Sequence, residues 1–224
     1  MYAIIAVMNK NQKCVIIGGA EIKNYDAIKK YFSDDDFFIY CDCGLNHFEK
    51  FNLSPNLIIG DFDTYDFNRL ENYKFNADVI KLPRAKDDTD TIFAVKEGVK
   101  RGFDDFILVG VTGGRLDHTL GNIYILLMLE RLNKRAKIVD DFSEIEIISP
   151  KNPAHVNNKY KFFSIINISG TTAGLNISNA KFPLNDAEII SEYQYGISNE
   201  VLNNSQDAII NIKTGNALLI KIRA

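Results

Sequence analysis

Short apolar runs rich in β-branched and aromatic residues recur through the first part of the chain, at 14–18 (CVIIG), Phe37–Cys41 (FFIYC), Leu57–Gly60 (LIIG), 79–82 and 106–109 (FILV). They do not alternate between apolar and polar positions. A continuous apolar run of this length is the pattern of a strand buried on both faces. Between them lie stretches with helical spacing at 25–32, 45–51, 89–101 and 119–132. Strand and helix in alternation predict an α/β unit, a mostly parallel sheet with helices on both faces. After residue 140 the rhythm changes. Strand patterns at 144–148, 162–168, 172–177, 208–212 and 217–222 are separated by Asn, Gly, Pro and Ser, with no long helix. These predict an antiparallel β-sandwich. The change of rhythm at 139–143 divides the chain into an α/β domain over 1–140 and a sandwich over 141–224. The apolar run at 2–8 lacks a positively charged leader and a small-residue cleavage site, so it reads as an added strand.

Composition narrows the class. The 224 residues are 46% hydrophobic and 25% charged, with a net charge of -3, the profile of a globular protein without a polybasic surface for nucleic acid or anionic lipid. The longest apolar stretch, 123–129, falls far short of the ~20 residues a membrane-spanning helix needs. A cytoplasmic protein is expected. Its three cysteines, Cys14, Cys41 and Cys43, lack the spacing of a zinc site and suit a reducing compartment.

Ligands of a parallel sheet bind beyond the carboxyl ends of its strands, and three segments there carry chemistry. In Gly60-Asp61-Phe62-Asp63-Thr64 a buried strand runs into two carboxylates. If the backbone stays extended, residues two apart share a side, and Asp61 and Asp63 can hold one Mg2+. In Lys86-Asp87-Asp88-Thr89-Asp90, Asp87 as N-cap with Asp90 in the first turn would serve a helix. Three aspartates in four positions exceed that need and point to metal or phosphate chemistry, with Lys86 as a phosphate contact. In Gly113-Gly114-Arg115-Leu116-Asp117-His118-Thr119, the glycines admit a phosphate close to the backbone. The following helix offers amide donors there, and Arg115 offers a planar fork. Asp117 would orient a metal-bound water or touch the substrate. His118 is either a general base or a neighbour of the helix cap. Together the three segments describe a site for a metal-bound polyphosphate.

On these residues the sequence resembles the thiamine pyrophosphokinase family. The likeness rests on Gly60-Asp61-Phe62-Asp63-Thr64, Asp87-Asp88-Thr89-Asp90, Gly113 through Asn122, and the turn Tyr195-Gly196-Ile197-Ser198-Asn199-Glu200, with Asp42-Cys43-Gly44 in place of an Asp-Gly-Gly turn. It spans roughly residues 14 to 222. It implies a homodimer with the substrate cleft between subunits, ATP as co-substrate, and transfer of its diphosphate to thiamine to give thiamine diphosphate and AMP. It implies Mg2+ held by Asp61, Asp63 and Asp90 with Thr89 beside them, Arg115 and Asp117 at the ATP phosphates, and Ser198 and Asn199 at thiamine. The same metal and ATP motifs would serve a pyrophosphokinase of another alcohol, such as a hydroxymethyl pterin, or a module that binds without catalysis. Two features depart from the family pattern. Cys43 stands where a glycine is usual, and the chain has no Trp to stack on the thiamine pyrimidine, a place Tyr193 or Tyr195 can take.

Overall fold

The structure, a computed structural model, describes residues 12–63, 76–202 and 206–223; the strand expected at 2–8 lies outside them. The described chain divides into two compact units. One runs to Asn122 and includes Leu132–Arg135; the other comprises Ile123–Arg131 and Ala136–Ala224.

The first unit is built on five parallel strands, β1 (Cys14–Ile17), β2 (Phe37–Cys41), β3 (Leu57–Gly60), β4 (Asp78–Lys81) and β5 (Asp105–Val109). Their order is β5-β1-β2-β3-β4. β1 and β3 are buried at every position, as unbroken apolar runs require. Edge strand β4 is mostly exposed. The connections carry α1 (Tyr25–Lys29), a 3-10 turn over Asp42–His47 that continues into α2 (Phe48–Phe51), and α3 (Asp90–Lys100). After β5, α4 (Leu116–Arg131) begins in this unit and ends in the other. Asn24 caps α1, its side-chain oxygen accepting from the Ala27 amide at 3.0 Å. The expected stretch 45–51 is helical, though its first part winds as a 3-10 turn that starts directly on Asp42.

The second unit is antiparallel throughout. β6 (Arg135–Val139), β7 (Ser143–Ile148), β14 (Ala217–Arg223), β9 (Tyr160–Asn167) and β12 (Gly196–Asn199) make one sheet. β8 (Ala154–Val156), β13 (Ala208–Asn211), β10 (Thr171–Ser178) and β11 (Leu184–Ile190) make the other. Ile148, Phe163, Ile165 and Leu219 of the first sheet pack with Val156, Leu175, Ile177 and Ile210 of the second in one buried cluster, the interior of a sandwich. Among the described residues no helix is long and apolar enough to cross a membrane.

Candidate active site

Register brings the loops of the first unit together. Ile17 of β1 lies level with Tyr40 of β2 and Val109 of β5, and Cys41 lies level with Ile59 of β3. The segments that leave β1, β2, β3 and β5 therefore emerge side by side at the carboxyl edge. Backbone bonds join the segments after β1 and β5, Gly18 N–H to Val109 O at 2.9 Å and Ala20 N–H to Gly110 O at 2.8 Å. A cleft of about 700 Å³ opens above them. Its wall includes Gly18–Ala20 after β1, Cys43 after β2, Asp61 and Asp63 after β3, Lys86, Thr89 and Asp90 around the start of α3, and Gly110–Arg115, His118, Thr119 and Asn122 after β5.

Its acidic centre forms by close backbone approach. Gly60 ends β3 against the first residue of the 3-10 turn; a Cβ at position 60 would meet Asp42 Cβ at 3.0 Å and Asp42 Cα at 3.2 Å. Asp42 itself has φ of 36°, a left-handed backbone that Asp tolerates better than most residues. Position 19 does the same for the residue that departs from the family's turn: a Cβ there would lie 2.6 Å from Cys43 Cβ, so glycine at 19 makes room for the Cβ of Cys43.

Asp61 and Asp63 do share a side, for a different reason than strand alternation. β3 stops at Gly60. Phe62 is left-handed with φ of 57°, and the Asp63 amide donates to Asp61 Oδ1 at 3.2 Å. A tight Asx turn gathers the two carboxylates. Asp42, buried, joins them, and one carboxylate oxygen from each of the three lies within 4.8 Å of the others. Among the described residues this is the acidic group placed to share an ion. The donors are all hard oxygens whose mutual repulsion a divalent cation relieves, so they fit Mg2+. In this group Asp42, not Asp90, is the third carboxylate beside Asp61 and Asp63.

Asp90 is linked to this group through an ammonium. Lys86 Nζ stands 2.9 Å from Asp61 Oδ2 and 2.9 Å from Asp90 Oδ1, with only 12% of its side chain exposed. Burial works against the lysine's charge, but its two carboxylate partners outweigh it and raise its pKa. The bond from Lys86 lowers the pKa of Asp61. Burial raises that of Asp90 despite the same partner, helped by repulsion from Asp61 and Asp42. Asp90 is the more basic carboxylate of the pair.

The cap of α3 also differs from expectation. Thr89, not Asp87, is the N-cap, its Oγ1 accepting from the Ile92 amide at 3.3 Å. Asp87 is exposed and lies outside the cleft wall, and Asp88 pairs with Lys96. Gly113, Gly114, Arg115 and His118 all line the cleft. Arg115 is exposed and held in a fork by Asp117, at 2.6 Å and 3.2 Å; Asp117 is not part of the wall. Asn122, buried, donates from Nδ2 to Val111 O at 2.7 Å and pins the loop that carries the glycines.

Two family models match the sequence: Thiamin pyrophosphokinase, catalytic domain, over residues 28–139, and Thiamin pyrophosphokinase, vitamin B1 binding domain, over residues 145–219. The chain belongs to the thiamin pyrophosphokinase family. It is a diphosphokinase enzyme. A thiamine pyrophosphokinase of Bacillus subtilis (strain 168) is 25% identical over 189 residues, covering 84% of this chain and 88% of that protein. The fold is shared with crystal structures of thiamine pyrophosphokinase from Bacillus subtilis (TM-score 0.84, 24% identity, 95% of this chain and 99% of that one). It is shared also with those from Geobacillus thermodenitrificans (TM-score 0.81, 24% identity, 95% and 98%) and yeast (TM-score 0.78, 15% identity, 97% and 88%).

The stretch that matches the vitamin B1 binding domain of the pyrophosphokinase family contains Ser198 and Asn199, both in β12. Ser198 is exposed at φ of 58°, and its amide donates to Ser164 Oγ at 3.0 Å. Asn199 is buried. Its Nδ2 donates to Phe182 O at 2.7 Å, and its Oδ1 accepts from the amides of Phe182 at 3.0 Å and Glu200 at 2.9 Å. That amide is committed to the unit's own backbone, so Ser198 is the member of the pair left facing outward. Tyr193 and Tyr195 form an exposed pair with ring centres 5.8 Å apart.

Sequence reading missed His47. It is buried, and its Nε2 lies 3.0 Å from Ala20 O. A carbonyl only accepts, so Nε2 carries the hydrogen and Nδ1 accepts from the Tyr25 hydroxyl at 2.7 Å. Burial lowers its pKa, in keeping with that neutral form. His47 ties the turn bearing Asp42 to the loop after β1. No local pattern announces a pairing across 27 positions.

Proposed function

We propose that the enzyme transfers the terminal diphosphate of ATP to the hydroxyl of thiamine, yielding thiamine diphosphate and AMP. The observation that carries this reading is the meeting of Asp42, Asp61 and Asp63 at the edge of a cleft whose wall includes the glycine loop with Arg115. Asp42, Asp61 and Asp63 would hold Mg2+, which when bound neutralises charge on the β- and γ-phosphates. The glycine loop and the start of α4 present backbone amides to phosphate oxygens. Arg115 adds a bidentate donor, and Asp117 keeps its guanidinium oriented. The thiamine oxygen bonds to the β-phosphorus, the bond from that phosphorus to the α–β bridging oxygen breaks, and AMP departs with the electron pair. The hydroxyl proton passes to a carboxylate, Asp61 or Asp90, of which Asp90 is the more basic. Positioning and charge neutralisation supply most of the rate in such transfers. The match to the vitamin B1 binding domain supports thiamine as the acceptor, with Ser198 as a contact.

We further infer that the protein acts in the cytoplasm, where its three cysteines stay reduced, and that it works as a homodimer. Leu116, Leu120 and Tyr124 are exposed at 69%, 49% and 57% and recur every four residues, so they form one apolar face of α4.

AMP release with ATP, Mg2+ and thiamine, each omitted in turn, tests the reaction. AMP should appear only with all three, and a hydroxymethyl pterin should not replace thiamine. Asp63→Asn should lower kcat by about a hundredfold or more while circular dichroism and the melting temperature stay near those of the parent. Near-normal turnover in that variant would remove Asp63 from the site.

A further inference from the structure

We propose that Lys86 is a resident counter-cation, neutralising Asp61 and Asp90 while the nucleotide is absent, keeping the site's affinity for a free divalent ion low, and turning to the polyphosphate when nucleotide and metal enter together. The inference rests on the reaction proposed above and concerns the order in which charge enters the cleft.

Both oxygens of Asp61 already have partners. Oδ1 accepts from the Asp63 amide at 3.2 Å, and Oδ2 takes the Lys86 ammonium at 2.9 Å. Asp61 is also one of the three carboxylates that can share an ion. Lys86 and a divalent cation therefore compete for one carboxylate. The competition is strong because the ammonium is well enclosed, with Lys86, Asp61 and Asp90 side chains exposed by 12%, 13% and 21%. Charge interactions gain strength as water is excluded.

The lysine is also placed to leave. It lies in the connection between β4 and α3, ahead of the Thr89 cap. It lines the same cleft as Arg115 and the glycine loop. A lysine carries a compact charge on a flexible stem with three donors, so its ammonium can exchange carboxylate oxygens for phosphate oxygens without movement of the backbone. A divalent ion arriving alone must displace it. A metal–nucleotide complex brings the anion that draws it away.

The test compares the full-length protein with Lys86→Met, close in length but uncharged, and Lys86→Gln, using Mn2+ as the probe and electron paramagnetic resonance of free Mn2+ as the readout. Without nucleotide, both variants should bind Mn2+ more tightly than the parent, by about tenfold or more. With α,β-methylene-ATP present the order should reverse, the variants holding the Mn2+–nucleotide complex more weakly. A lysine that merely supports the fold would shift both measurements in the same direction. Equal or weaker Mn2+ binding by the variants without nucleotide overturns the proposal. A variant that folds only when Mn2+ is added supports it, whereas variants that fail to fold with or without Mn2+ overturn it. If neither parent nor variants bind Mn2+, the metal site and the proposed reaction fall together. That outcome is distinct from equal binding, which removes only the role of Lys86.

Discussion

At the scale of single residues, the site depends on backbone proximity more than on side-chain reach. Gly60 shows this most directly. An alanine there would press its Cβ onto Asp42 Cβ at 3.0 Å and onto the Asp42 backbone nitrogen at 3.2 Å, and neither atom belongs to a flexible side-chain end. Asp42 must then retreat by a few tenths of an ångström from Asp61 and Asp63. Gly60→Ala should cost about 1–3 kcal/mol of stability, as overpacking does. Its larger effect should fall on turnover, about tenfold or more, because carboxylate geometry governs a positioned transfer. Urea unfolding beside AMP release separates the two effects; unchanged kcat would show that Asp42 has room to move. The motif Gly-Asp-Phe-Asp was legible as a metal-binding candidate from the chain. The left-handed Phe62 that makes its carboxylates converge was not, because Phe has no preference for that conformation and only the tertiary setting imposes it.

At the scale of elements, the second unit contains a charge cluster built by strand register. Lys137 of β6 lies directly opposite Glu146 of β7, and Lys221 of β14 lies opposite Glu144. Glu144 and Glu146 are two apart and so share a face. Lys221 pairs with both, at 2.6 Å from Glu146; Lys137 lies 3.0 Å from Glu144, to which the Tyr160 hydroxyl donates at 2.9 Å. Burial alone would raise the pKa of Glu144, but Lys221 and Lys137 more than offset it and lower it to about 2 from an ordinary 4.5. The folded state thus favours the ionised form. The stabilisation, about 3 kcal/mol, is complete above pH 4.5 and is lost as pH falls from there toward 2. The urea midpoint of the parent should therefore drop between pH 6 and pH 3. Glu144→Gln should be less stable at pH 6, by about 3–5 kcal/mol, since it leaves the buried Lys221 short of a partner. It should also lose less on acidification; an equal fall in both proteins would place the acid sensitivity elsewhere. The paired positions of β7 and β14 read as strands in the sequence. Strands β6, β8, β11 and β12 did not: β8 has three residues, and β11 (LNDAEII) has a single buried position. Such segments become strands because a neighbour supplies their hydrogen bonds, and β11 does so through two register shifts against β10.

At the scale of the whole molecule, the apolar face of α4 bears on assembly. Leu120→Asp places a charge where a homodimer would bury leucine, while in a monomer the position is half exposed and should tolerate it within about 0.5 kcal/mol. Sedimentation should find the parent at twice the chain mass and Leu120→Asp shifted toward one chain mass; a monomeric parent would leave that face without the proposed role. The amino-acid sequence by itself determined the buried parallel strands, the change to an antiparallel half and the segments that carry carboxylates, lysine and glycines. These properties are written in consecutive residues, because a strand covered on both faces must be apolar at every position and a phosphate loop must contain glycine. The tertiary structure decided which charges meet. Asp42 rather than Asp90 joins Asp61 and Asp63, Lys86 stands between Asp61 and Asp90, and His47 reaches Ala20. Those partners come from different strand ends, and their distances are set by the register of parallel neighbours and by the room that Gly60 and Gly19 leave, neither of which any single segment contains.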